Sequence, residues 1–293
     1  VSPDEAGRDL DQLASYEKNK KALSEDLIAY MDAVSKAYND FEKPEKPADD
    51  ATEEEKKAWQ SEMKKVDKAQ ADFNKKALKL IFKCLSLQRL DRSGTTNLRD
   101  DVNIKAAELL GNLAATMDEG DRKDVSKRLI KAIEKLDKAK YQVNSDHLEA
   151  MFGSLGKLNQ LDSLEWMNEE FSHTNNDDDS VVRLIAAHKA MVMFKLDDVP
   201  GTIRYEIADT FTKTYSSVES QAEQSSTDKN VQAKKAFWDR IRVDAIRVAQ
   251  YFSKEPTDAD GQAYNSMNDL YYWFKEHKNK RKAPWVDEKK KKK

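Results

Sequence analysis

The stretch that decides the fold is LEWMNEEFSHTNNDDDSVVRLIAAHKAMVMF, residues 164–194. Leu164, Met167 and Phe171 recur at i, i+3 and i+7, which is one face of a 3.6-residue period, and Val181, Leu184, Ile185, His188 and Val192 resume such a face further on. Between them the Asn and Asp run 175–179 is too polar to bury. An oxygen of Asp179 or Ser180 is suited to cap the second helix, because the first turn leaves amide groups unpaired. The unit reads as helix, acidic corner, helix, and its apolar sides require neighbours. Leu164, Met167, Phe171, Leu184 and Ile185 are expected to be buried together, with Asp177 and Asp178 left in water.

The same pattern extends outward along a chain of 293 residues. Hydrophobic residues make up 39% and charged residues 36%, with eight glycines and six prolines, a composition that suits solvated helices and argues against a turn-rich β architecture. The fold class is therefore all-α. From Asp9 to Phe41 apolar residues recur at threes and fours, predicting a long helix with a break near Asn19. Pro44 and Pro47 in KPEKPADDA stop it, and Thr52 with Glu55 forms a capping box for a second helix over 53–90. Residues 1–92 thus read as an N-terminal long helical hairpin with a Pro-rich linker at 43–50.

Shorter helices follow. VNIKAAELLGNLAATM spans Val102–Met117, VSKRLIKAIEKL follows the corner at 118–121, and HLEAMFGSLGKL follows Asn144 and Ser145. LLGNL at 109–113 and SLGKL at 154–158 echo each other at a period suited to stacked helical units. Beyond Pro200 and Gly201 a helix carries Ile203, Ile207, Phe211 and Tyr215, and the polar run 216–230 reads as a loop. A helix from near Val231 and a last one opened by 258–261, with Tyr264, Met267, Leu270, Tyr271, Phe274 and His277 as its stripe, complete the set. Residues 279–293, ending in Lys289–Lys293, read as a basic disordered tail.

From about residue 97 to 278 the arrangement resembles HEAT-like or armadillo-like helical repeats. The resemblance rests on DDDSVVRLIAAHKAM at 177–191, an acidic turn followed by valines, a basic residue and small apolar residues, and on the looser Arg-Val-x-Ala-Ile at 242–246. The first-helix proline usual in such repeats is absent, and Gly111 and Gly156 stand where alanine is usual. The resemblance implies a right-handed α-α solenoid-like stack of helix pairs, and families of this kind act as binding scaffolds.

Chemical motifs offer little competition. His147, His173, His188 and His277 fit no metal-ligand spacing, no HExxH or CxxC is present, and Asp177–Asp179 lacks the alternating ligands of a calcium loop. Glu165 and Glu169 share a helix face, but no ExxH accompanies them as in a carboxylate-bridged bundle. Neither GxSxG nor a phosphate-binding glycine loop occurs. No cofactor is expected, and the chain is read as not an enzyme. Cys84 lies in an apolar run and reads as a small buried hydrophobe. The formal charge of −3 gives no reason to expect general nucleic-acid binding, while the lysine tail offers a local contact for an anionic surface.

No apolar run reaches the length of a membrane span, so no transmembrane segment is expected. A processed start at Val1 would place the chain in the periplasm or outside the cell. Tyr272, Trp273, Trp238 and Trp166 are the candidate partner contacts. A helix cannot hide all of Tyr271–Phe274 on one side, so Tyr272 or Trp273 faces outward as a partner hot spot, a lid on the core's end, or a contact for Pro284 and Trp285. The leading expectation is a non-catalytic scaffold that binds a protein or peptide through its inner helices. The alternatives are self-assembly through the N-terminal hairpin, and an enzyme or small-ligand-binding bundle with a central pocket.

Overall fold

The computed structural model describes residues 1–173, 178–224, 227–282 and 284–287, residues 178 and 179 by their backbone alone. Within these the chain is all-α: eleven helices and no strand, with isolated bridges at Leu90–Asn97 and Thr257–Ala263. It divides into two compact units, Val1–Met151 and Phe152–Lys293, and the division falls inside helix α6 (Ser145–Leu158).

In the first unit the long helix expected over 9–41 is two helices, α1 (Pro3–Lys18) and α2 (Ser24–Lys36), so the break near Asn19 is real. Arg99 fixes the turn between them: its guanidinium donates to the Ala22 carbonyl at 2.6 Å and to the Ser24 hydroxyl at 3.2 Å, and the side chain is buried. The capping box at Thr52 and Glu55 opens α3 (Glu53–Leu85) as expected. This helix stops at Leu85 instead of continuing to 90, and two buried amides take a carbonyl of its last turn and one just beyond its end. Asn103 Nδ2 donates to Cys84 O at 2.7 Å, Asn97 Nδ2 donates to Leu87 O at 3.2 Å, and Asn97 Nδ2 also reaches Asn103 Oδ1 at 2.8 Å. Helix α4 (Asp100–Asn112) ends in a 3₁₀ turn at Leu113–Ala115, and Asp118 caps α5 (Glu119–Leu136), which opens earlier than Val125. Helix α1 packs on α2 and α3, and α4 packs on α2 and α3, around Leu13, Leu27, Met31, Ile81 and Leu110.

The second unit contains α7 (Leu161–Phe171), α8 (Asp178–Met191), α9 (Gly201–Ala222), α10 (Lys229–Phe252) and α11 (Met267–His277). Leu164, Met167, Phe171 and Leu184 are buried as expected, whereas Ile185 is half-buried. The flanks of the corner are tied to the core: His188 Nε2 donates to Phe171 O at 2.8 Å, and the Tyr215 hydroxyl donates to His173 O at 3.0 Å. Asp177 and the side chains of Asp178 and Asp179 lie outside the described residues. Helix α8 already begins at Asp178, so Asp179 and Ser180 belong to its first turn and not to the cap.

The loop expected over 216–230 is largely helix. Tyr215, Val218, Glu219 and Ala222 continue a buried stripe at i, i+3, i+4 and i+7, and α9 runs through to Ala222. Buried Glu219 accepts from the Ser266 hydroxyl at 2.9 Å and from the Asn268 amide at 2.6 Å, which closes the start of α11. That helix therefore begins at Met267, and Tyr264 lies before it. Helix α9 packs on α7, α10 and α11, and α8 packs on α7 and α10.

Gly156 is one place where glycine is required. A Cβ there would stand 2.8 Å from Ala190 O and 2.9 Å from Met193 Cβ. Backbone cannot retreat as a side-chain tip can, so Gly156→Val is expected to cost about 2 kcal/mol of stability despite the poor helix propensity of glycine. Chemical denaturation of the two proteins measures it, and equal midpoints would refute the close approach.

Candidate functional site

A cleft of about 990 Å³ lies in the first unit, between α3, the segment that follows α2, and the start of α5. Its floor is built from side-chain amides. Asn39 ends the α2 turn with φ +59°, a left-handed conformation that asparagine tolerates. Its amide nitrogen donates to Asn74 Oδ1 at 3.3 Å, and Asn74 Nδ2 donates back to Asn39 Oδ1 at 2.6 Å. Gln70, one turn before Asn74 on α3, donates to Asn74 Oδ1 at 2.7 Å and to Ala37 O at 3.1 Å, and accepts from Phe41 N at 2.7 Å. The Asn39 side chain also donates to Thr116 O, so the floor links three segments distant in sequence.

The walls carry opposite charge. Lys75 and Lys79 stand exposed on α3, with the Asp67 carboxylate two turns before Lys75 on the same wall, while Asp118, Asp121 and Asp124 line the α5 side. Tyr38 donates to Asp121 Oδ2 at 3.0 Å, and burial, together with that carboxylate, pushes its phenol well above the ordinary value. Arg128 stacks on the Phe82 ring at 3.8 Å and lies 3.7 Å from Asp124. Among the described residues no group of three or more His, Cys, Asp or Glu side chains is placed to hold a metal ion. What this arrangement can do is accept a ligand that offers both charges along its edges and amide-like groups to the floor.

A second hollow of the first unit, about 380 Å³, is lined by Leu87, Leu136, Met151, Tyr141, Gln88 and His147. The Gln88 amide donates to the Tyr141 hydroxyl at 3.3 Å. His147 is buried, and burial lowers its pKa to about 4. Its Nε2 has no hydrogen-bond partner and is itself enclosed, so it does not present a donor or acceptor at the hollow's surface.

The aromatic candidates separate. Trp238 is 5% exposed and stacks on Tyr215 at 6.1 Å, which makes it core rather than a surface contact. Trp166 is half-buried against Phe152 and Phe171, at 6.1 and 5.2 Å. Trp273 is half-buried too: it stacks on His277 at 4.5 Å and meets Trp285 at 6.2 Å, the contact for the C-terminal segment foreseen for an outward ring here. Of the four, Tyr272 alone is largely solvent-exposed, at 63%. Cys84 is fully buried, and burial pushes its thiol up to about 12, which leaves it unreactive at neutral pH.

Sequence reasoning missed the amide floor and the buried arginines Arg99 and Arg204. Asparagine at 74 and 103 on otherwise apolar helix faces was the available signal. Among the described residues no helix is long and apolar enough to cross a membrane. The chain matches no protein-family model, no curated protein and no solved structure.

Proposed function

We propose that the chain is a non-catalytic helical scaffold and that the cleft of its first unit receives an extended polypeptide segment. The observation that carries this reading is the cleft itself, an open trough with one basic wall, one acidic wall and a floor of carboxamides. Extended backbone offers N–H and C=O groups that carboxamides can meet, and its side chains supply charges for the two walls. A trough of this volume is at the upper end for a small molecule. Helix packing supports the scaffold part: several helices pack on their next neighbour and also on the second next, as α1 does on α2 and α3, and α9 on α10 and α11. Such alternation is what stacked helix pairs of a HEAT-like solenoid require.

Selection from a displayed random-peptide library, followed by affinity measurement on the Lys75→Glu/Lys79→Glu protein, tests it. Both lysines are exposed, so the fold should tolerate the change. Selected peptides should carry acidic residues on one edge, lose at least tenfold in affinity on the double variant, and weaken with added salt. Peptides that bind both proteins equally, or a library that yields none, would overturn the reading.

A further inference from the structure

Residues 284–287, within the segment read from sequence as a disordered tail, are seated on the second unit. Trp285 is 2% exposed and packs against Tyr205, Phe274 and Trp273, with ring centroids 5.3, 5.7 and 6.2 Å away. Its indole Nε1 donates to His277 O at 2.6 Å. Two residues later the Asp287 carboxylate accepts from the Gly201 amide at 2.9 Å and from Arg204 Nη2 at 3.1 Å, at the start of α9. The Gly201 amide foremost, and the Arg204 guanidinium, hold that carboxyl below the ordinary carboxylate range.

Two features show a receptor shaped for this segment rather than a terminus lying on an apolar patch. A Cβ on Gly201 would fall 1.6 Å from Trp285 O, so the backbone approach is open to glycine alone. Arg204 is 1% exposed, and a guanidinium is not buried without partners. Its partners are Val199 O at 3.3 Å, Pro284 O at 2.9 Å and Asp287, two of which the segment supplies.

We propose that the start of α9, together with the Tyr205, Trp273 and Phe274 rings, is a recognition site for a Pro-Trp-x-Asp peptide, filled by residues 284–287 of the same chain. Tryptophan is the anchor and the carboxylate two residues on sets the register. A tethered segment holds its site at an effective concentration on the order of millimolar, so a peptide of the same pattern supplied in solution competes poorly until the segment is weakened. The site lies in the second unit and does not depend on the cleft of the first.

The test uses the full chain and a fluorescently labelled peptide of sequence KAPWVDE, followed by anisotropy. The Trp285→Ala/Asp287→Asn protein should bind this peptide at least tenfold more tightly than the unaltered protein does, and Arg204→Gln added to that background should abolish binding. Asp287→Asn alone, a mild change at a largely exposed carboxylate, should fall between the two and keeps the test available where the double variant does not fold. Equal peptide affinity for the unaltered protein and Asp287→Asn would overturn the proposal. So would a concentration-dependent dimer of the unaltered protein that Asp287→Asn dissociates, because the segment would then fill the site of a second copy.

Discussion

Lowering the pH from 7 to 4.5 should destabilise the second unit by about 2–3 kcal/mol through His188 alone. His188 is fully buried on α8, and burial, reinforced by the charge of His173 and only partly opposed by the Phe171 carbonyl, lowers its pKa to about 4. An unfolded histidine titrates near 6.5. Between those values the unfolded chain takes up a proton that the folded chain refuses. Stability is therefore full above about pH 6.5 and falls as the pH drops towards 4, by up to about 1.4 kcal/mol per unit. His147 follows the same sign in the first unit, for burial alone. The discriminating protein is His188→Gln, whose amide can still donate to Phe171 O but does not titrate. Urea midpoints of the second unit, followed at pH 7, 6, 5 and 4.5, should converge for His188→Gln and fall steeply for the unaltered chain. A His188→Gln protein that loses as much as the unaltered one over that range would show that the buried imidazole is not the source.

The part of this architecture that sequence makes legible is the part that local spacing controls. Thr52 and Glu55 act on each other across three residues, so their capping box is visible in the order of residues alone. Leu164, Met167 and Phe171 likewise mark their buried face by period alone. What could not be read depends on partners far along the chain. Asn39 and Asn74 are 35 positions apart, and neither leaves a periodic trace. Arg204 in GTIRYEI looks like an ordinary exposed base, because the carbonyl that helps bury it belongs to Pro284, 80 positions away. Proline and a lysine run beside Trp285 suggest disorder, and composition has no means of registering a glycine that admits the chain at one point on α9. The polar letters of SSVESQA hid a helical stripe for a related reason. Buried Glu219 counts as polar in any pattern, yet its position is set by the α11 amide and hydroxyl it accepts from.

Phe211→Ala should cost the second unit about 3–5 kcal/mol. The ring is fully buried, 5.0 Å from the His188 imidazole and 5.5 Å from Tyr215, and so lies among the groups that hold the flanks of the acidic corner. Truncation removes apolar area and leaves a cavity between helices already fixed by hydrogen bonds to Phe171 O and His173 O, which limits how far they can collapse. Against a typical total of about 5–15 kcal/mol, such a loss brings the unit near its threshold at 37 °C. Phe211→Leu keeps most of the volume and should cost about 1–1.5 kcal/mol. The cavity also relieves the desolvation of His188, so the imidazole pKa should rise from about 4 towards its ordinary value in Phe211→Ala. The two effects are tied by one cause: a large loss of stability at pH 7 must be accompanied by a shallower fall between pH 7 and 4.5. Denaturation at the two pH values measures both, and a large loss with an unchanged pH slope would show that Phe211 contributes packing without shielding the histidine.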